Sequence, residues 1–254
     1  MKNFIKLAVV ALAMTTAFQA KAEITKNERV LVVVSELDVF APRESGDLYR
    51  TLERLTRAIP NGILASEYSR VIGQYDRVAT STNFVNLLRT LAMDEHVKAI
   101  DVILSLHGSP DRLYFFNGGT RISDLSNSLL RANTPAQRDL VTKLKKKLRL
   151  MYNLSCYGKS VNEEFVSMGF DTSIGSVAVN ANSDVEFPSF VGLWRVGFKV
   201  SDALAPTNND FAIFAHDGPM VTAGRVSGNT MLQQINSKKE IEGRTSLKIN
   251  TDPR

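Results

Sequence analysis

Two residues with the chemistry of nucleophilic catalysis each stand at the end of an apolar run and shortly before a glycine. His107 closes VKAIDVILSLHG (97–108), and Cys156 closes KLRLMYNLSCYG (147–158). A thiolate attacks carbonyl carbon, and an imidazole can take the thiol proton and return it to a leaving amine. The two runs are nearly continuous and rich in branched residues, as in strands buried on both faces of a parallel sheet. In an open α/β sheet the chemistry lies just beyond the carboxyl ends of such strands, which is where both side chains fall.

Cys156 is the only cysteine, so an internal disulfide is impossible. An odd thiol is a partner for another chain, a reactive group or a buried core residue, and its place before Tyr157-Gly158 favours the reactive reading. A free thiol ionises near pH 8.5, less when an imidazolium or a helix N-terminus is close. At a strand-to-helix turn beside His107, Cys156 is expected to have a lowered pKa. His216, in the AHDGP segment after the apolar FAIFA, is a rival partner read as a loop residue. His96 sits in a polar loop and reads as a surface histidine, and Asp101, inside a strand, reads as structural. With one cysteine, 3 scattered histidines and no HExxH or Cys-x-x-Cys, metal binding is not indicated. No glycine-rich nucleotide loop is present, so no cofactor is expected, and no Gly-x-Ser-x-Gly elbow supports a serine hydrolase.

The elements that must position these residues follow from periodicity. Lys2 and Lys6, the apolar run Leu7–Phe18 and Ala20-Lys21-Ala22 form a signal peptide over 1–22, cleaved before Glu23. Export to the periplasm or outside the cell follows. The formal charge of +5 drops to +2 once Lys2, Lys6 and Lys21 are gone, which leaves no case for nucleic-acid binding. No stretch suits stable membrane insertion. Residues 23–225 read as one α/β domain and 226–254 as a loosely held polar tail. VLVVVS (30–35) is a central strand, LYRTLERLTRAI (48–59) a helix stopped by Pro60-Asn61-Gly62, and a short strand is expected near 77–80. A helix over 83–93 is capped by Ser81 or Thr82. After Gly108 come a turn and a hairpin arm, LYFFNGG (113–119), then helices after Arg121 and over 135–147. A helix over 161–168, a strand over 171–179 and an apolar covering helix around Phe190–Val200 complete the pattern. Alternating strands and helices predict the strands ending at Ser35, His107 and Cys156 to be adjacent and parallel.

His-Gly after one hydrophobic strand and a small residue plus Cys after the next, here His107-Gly108 and Ser155-Cys156, resembles the caspase-like superfamily of cysteine peptidases, which includes legumains, gingipains and clostripains. Cys156 follows His107 by 49 residues, against about 50 in caspases. The resemblance covers Val30 to Ala205. It departs from the caspase signature in having Leu154 and Ser155, not Gln and Ala, before the cysteine. It implies an α/β three-layer sandwich with a mostly parallel central sheet, and an exported endopeptidase with a His107/Cys156 dyad working through a thioacyl intermediate. The N–H groups of Gly108 and Cys156 are then the oxyanion donors, a peptide or protein is the substrate, and neither metal nor cofactor is needed. Asp184 and Glu186, in the NSDVEF loop, either select a basic side chain or are solvated loop acids. The alternative is a noncatalytic binding or assembly protein that keeps the fold without turnover.

Overall fold

The computed structural model describes residues 23–40 and 46–253. The proposed signal peptide, 1–22, lies outside the described residues. In chain order the strands are β1 (Arg29–Glu36), β2 (Arg70–Tyr75), β3 (Ala99–Ser109), β4 (Arg112–Phe115), β5 (Gly118–Arg121), β6 (Leu148–Asn153), β7 (Thr172–Ser176) and β8 (Lys239–Gly243). The α-helices are α1 (Gly46–Ile59), α2 (Ser81–Met93), α3 (Ile122–Leu129), α4 (Pro135–Lys145), α5 (Asn162–Met168), α6 (Ser183–Arg195), α7 (Val200–Asn208), α8 (Asp210–Ser227) and α9 (Thr230–Gln233). The sheet runs β2-β1-β3-β6-β7-β8, with the β4–β5 hairpin growing from the end of β3. Every pairing along that path is parallel except β7 with β8.

Alternation along the strands feeds two cores. Val30, Val32 and Val34 face α2, α3, α4 and α5 through Phe84, Leu88, Leu125, Leu144 and Phe165. Leu31 and Val33 face the other side, where Phe187, Phe190 and Trp194 of α6 and Leu204 of α7 cover them. A sheet buried on both faces by helices is the three-layer α/β sandwich, and it explains why β1, β3 and β6 carry almost unbroken apolar runs. Helix starts are set locally: Thr80 caps α2 by accepting from the Asn83 N–H, one place before the expected Ser81, and Thr134 with Gln137 makes a capping box for α4.

Several elements differ from the sequence reading. The second strand occupies 70–75, not 77–80, because it is a half-exposed edge strand whose polar residues hide its period. NSDVEF opens α6, and AHDGP lies within α8, despite Pro188 and Pro219 inside those helices. The segment after 226 is not a loose tail: β8 pairs with β7, and Leu247 and Ile249 are buried in the core. Buried guanidinium groups hold it, since Arg29 and Arg149 donate to the Ile249 carbonyl at 2.6 and 2.8 Å.

Candidate active site

β3 and β6 are in register with Leu104 opposite Asn153, and extending both strands equally brings His107 level with Cys156. Beyond β6 the backbone is held residue by residue. The Leu154 N–H donates to the Leu104 carbonyl at 2.8 Å, the Ser155 N–H to Asn153 Oδ1 at 2.9 Å, and the Tyr157 N–H to the Ala178 carbonyl at 2.7 Å. Tyr157 adopts the left-handed conformation, φ 55° and ψ 23°, turning the chain directly after the thiol into the 3-10 turn Gly158–Val161. A side chain at 108 would overlap the Cys156 carbonyl oxygen and come within 2.9 Å of Ser155 Cβ, so His107 can approach this turn only because glycine follows it.

His107 Nε2 lies 2.8 Å from the Leu37 carbonyl. A carbonyl only accepts, so Nε2 carries the proton and Nδ1 is left as the basic nitrogen of the neutral ring. The loop after β1 is fixed in turn, because the Leu37 N–H donates to Glu53 Oε1 at 3.2 Å while Glu36 Oε1 accepts from the N–H groups of Asp38 and Val39 at 3.1 and 2.9 Å. Tyr49 packs against the imidazole with ring centroids 4.8 Å apart. Burial pushes the His107 pKa below its ordinary value, against the Leu37 hydrogen bond and the Glu36 charge.

Cys156 Sγ accepts a hydrogen bond from the Asn180 N–H at 3.4 Å. Burial nevertheless raises its pKa above the ordinary thiol value, while the Asn180 and Cys156 N–H groups and the Lys239 charge pull the other way. The expected lowering is therefore corrected: desolvation outweighs the local donors. Both shifts favour the uncharged forms, thiol and imidazole.

His107, Gly108 and Cys156 line one cleft of about 320 Å³, between α1, the ends of β3 and β6, α6 and α9. Asp184 and Glu186 do not line it. Glu186 is buried at 1% exposure, hydrogen-bonded by the Tyr152 hydroxyl and 4.0 Å from Lys239 Nζ, and its pKa is raised by burial. Asp184 Oδ1 lies 3.7 Å from His216 Nε2, and His216 Nδ1 lies 3.7 Å from Asp217 Oδ1. The rival histidine thus stands between two aspartates on α6 and α8, away from the cleft lining. His96 is exposed, and Asp101 is a fully buried partner of Arg149. The Leu37 carbonyl, Tyr49, Asn180 and Lys239 were not visible as site residues in the sequence. Two act through backbone groups, which carry no side-chain signature, and the others arrive from distant elements.

Among the described residues, Glu36, Glu53 and Asp76 bring three carboxylates within 4.8 Å of one another. Arg57 already occupies their midst, 3.3 Å from Glu53 Oε1 and 2.5 Å from Asp76 Oδ1. No described helix is long and apolar enough to cross a membrane. In comparisons with known proteins, no family model matches the chain and no curated protein aligns with it significantly.

Proposed function

We propose that the chain is an exported cysteine endopeptidase of caspase-like type, with Cys156 as nucleophile and His107 as general base and acid. The observation that carries this reading is the meeting of His107, Gly108 and Cys156 in one cleft at the carboxyl ends of adjacent parallel strands. Nδ1 of His107 takes the Cys156 proton as sulfur attacks the peptide carbonyl. The N–H groups of Gly108 and Cys156 receive the oxyanion. The imidazolium then gives its proton to the departing amine, leaving a thioacyl-enzyme. Water, deprotonated by the same imidazole, attacks that thioester and releases the carboxyl product with the thiol restored. Export rests on the leader 1–22.

A second reading, a noncatalytic binding or assembly protein with this fold, is favoured by one observation: burial raises the thiol pKa rather than lowering it. Digestion of a peptide library, read by mass spectrometry, separates the two. The wild type is expected to cleave peptides, and Cys156→Ser and His107→Ala each to lose roughly 10³-fold or more, with the double variant little worse than either. Equal cleavage by Cys156→Ser would refute the mechanism. Full activity in His107→Ala with loss in His216→Ala would reassign the base.

A further inference from the structure

The cleft's wall says what kind of side chain it receives. Leu52 and Leu55 of α1, Leu106 of β3, Leu154 beyond β6, Phe187 of α6 and Met231 of α9 are among its apolar lining. The polar side chains among them carry no formal charge; several are bonded within the protein, and Asn180 Oδ1 is left without a partner among the described residues. Thr56 Oγ1 donates to the Leu52 carbonyl at 2.9 Å and lies 3.2 Å from Ser105 Oγ, and the Tyr157 hydroxyl is hydrogen-bonded to Gln234 Oε1. Among the described residues no Asp, Glu, Lys or Arg lines the cleft. Glu186 and Lys239, both buried, stand 4.0 Å from each other and outside the lining. Asp184 is directed at His216.

A charged side chain entering such a wall sheds its hydration and touches no counter-charge in the described lining, whereas an apolar one gains by leaving water. At about 320 Å³ the cavity is at the small end of ligand pockets, which run from about 300 to 1,000 Å³. That suits a single large side chain with the adjoining peptide. His107 and Cys156 line the same cavity, so the side chain that fills it is the neighbour of the reacting carbonyl. We propose that the cleft selects peptides bearing an uncharged apolar side chain, of leucine, methionine or phenylalanine type, on the residue whose carbonyl Cys156 attacks. This rests on the peptidase reading and adds the substrate class to it. Of the two alternatives for Asp184 and Glu186 it sets aside selection of a basic residue, since neither lines the cleft.

The test uses tripeptide acyloxymethyl ketones that differ only in the residue beside the ketone, namely Leu, Phe, Arg or Asp, with iodoacetamide as a small non-peptide reagent. Sulfur displaces the carboxylate of each ketone to form a thioether on Cys156, located by mass spectrometry of the digested protein. The Leu and Phe reagents are expected to modify Cys156 at least tenfold faster than the Arg and Asp reagents. Met231 is 48% exposed, so Met231→Glu adds a carboxylate to the wall without a buried cavity, and it should raise the Arg-to-Leu rate ratio at least fivefold. If Arg or Asp reagents react as fast as Leu in the wild type, the selectivity proposed here is wrong and the peptidase reading stands. If no peptidyl reagent modifies Cys156 faster than iodoacetamide does, or none of the reagents modifies it, the peptidase reading fails and the selectivity falls with it.

Discussion

Two sets of buried charges sit at opposite ends of the sheet and are built to different standards. Near the amino ends of β3 and β6, Asp101 and Arg149 are both fully buried and doubly joined, with Arg149 Nε 3.1 Å from Asp101 Oδ1 and a second bond from Nη2 to Oδ2. Asp101 also accepts from the Tyr68 hydroxyl at 2.7 Å and the Leu150 N–H at 3.2 Å, and Arg149 Nη1 donates to the carbonyls of Ile249 and Thr251 at 2.8 and 2.7 Å. Toward the carboxyl ends, Lys239 and Glu186 are equally buried, yet stand 4.0 Å apart. Among the described residues, Lys239 Nζ and Glu186 Oε2 have no hydrogen-bond partner. A buried charge is tolerable when its hydrogen-bonding capacity is used, and incompletely used polar groups gather where structure yields to function. The first set fastens the scaffold. The second places a cation where its field reaches the Cys156 sulfur.

The largest effect should come from breaking the satisfied pair. Arg149→Met leaves the Asp101 carboxylate buried without its cation and takes a donor from the Thr251 carbonyl, while Ile249 keeps Arg29, at a cost of about 3–5 kcal/mol. In a domain of this size that lowers Tm by roughly 10 °C. A urea titration showing a loss under about 1 kcal/mol would erase the distinction between the two clusters. A smaller effect is expected at the other end: Lys239→Met combined with Glu186→Gln removes both poorly bonded charges together and should change stability by less than about 1 kcal/mol, or increase it. A loss as large as that of Arg149→Met in the same titration would mean that this pair fastens the fold too.

The smallest effect, and the most specific, is on the thiol. Because only the thiolate alkylates, the rate of iodoacetamide labelling should climb with pH through a midpoint above the ordinary thiol value. Lys239→Met alone should move that midpoint higher, since the ammonium is one of the groups holding it down. His107 carries the opposite sign. Its lowered pKa keeps the ring neutral as pH falls past the ordinary histidine value, so the acid limb of peptide hydrolysis should lie below that value. A labelling midpoint unmoved by Lys239→Met would show that Lys239 acts on structure alone.

The centre of the fold was legible because β1, β3 and β6 are buried on both faces, which demands the continuous apolar runs read as strands. Their ends carried His107 and Cys156 with them. Edges were harder. β8 contains Lys239, Glu240 and Glu242, and its order comes from backbone pairing with β7 and not from a side-chain period. The helical state of NSDVEF and AHDGP was obscured by Pro188 and Pro219, which tertiary packing accommodates against their local preference. The direction of the thiol shift was also hidden, since a sequence shows neighbours in the chain but not the desolvation imposed by α1 and α6.

The fastening of Arg29 and Arg149 has a consequence in time. Their carbonyl partner, Ile249, lies 220 residues after Arg29 and 100 after Arg149, and Thr251 lies 102 after Arg149. A polypeptide emerges amino end first, so β1 and β6 exist long before the groups that complete them. Contacts of such separation close late and slowly. Until residues 249 and 251 have emerged, Arg29 and Arg149 lack these carbonyl acceptors, although Arg149 already has Asp101. From its own emergence the thiol therefore waits in an unfinished molecule, since the described cleft takes lining residues as late as Gln234 and the sheet its last strand at Lys239–Gly243.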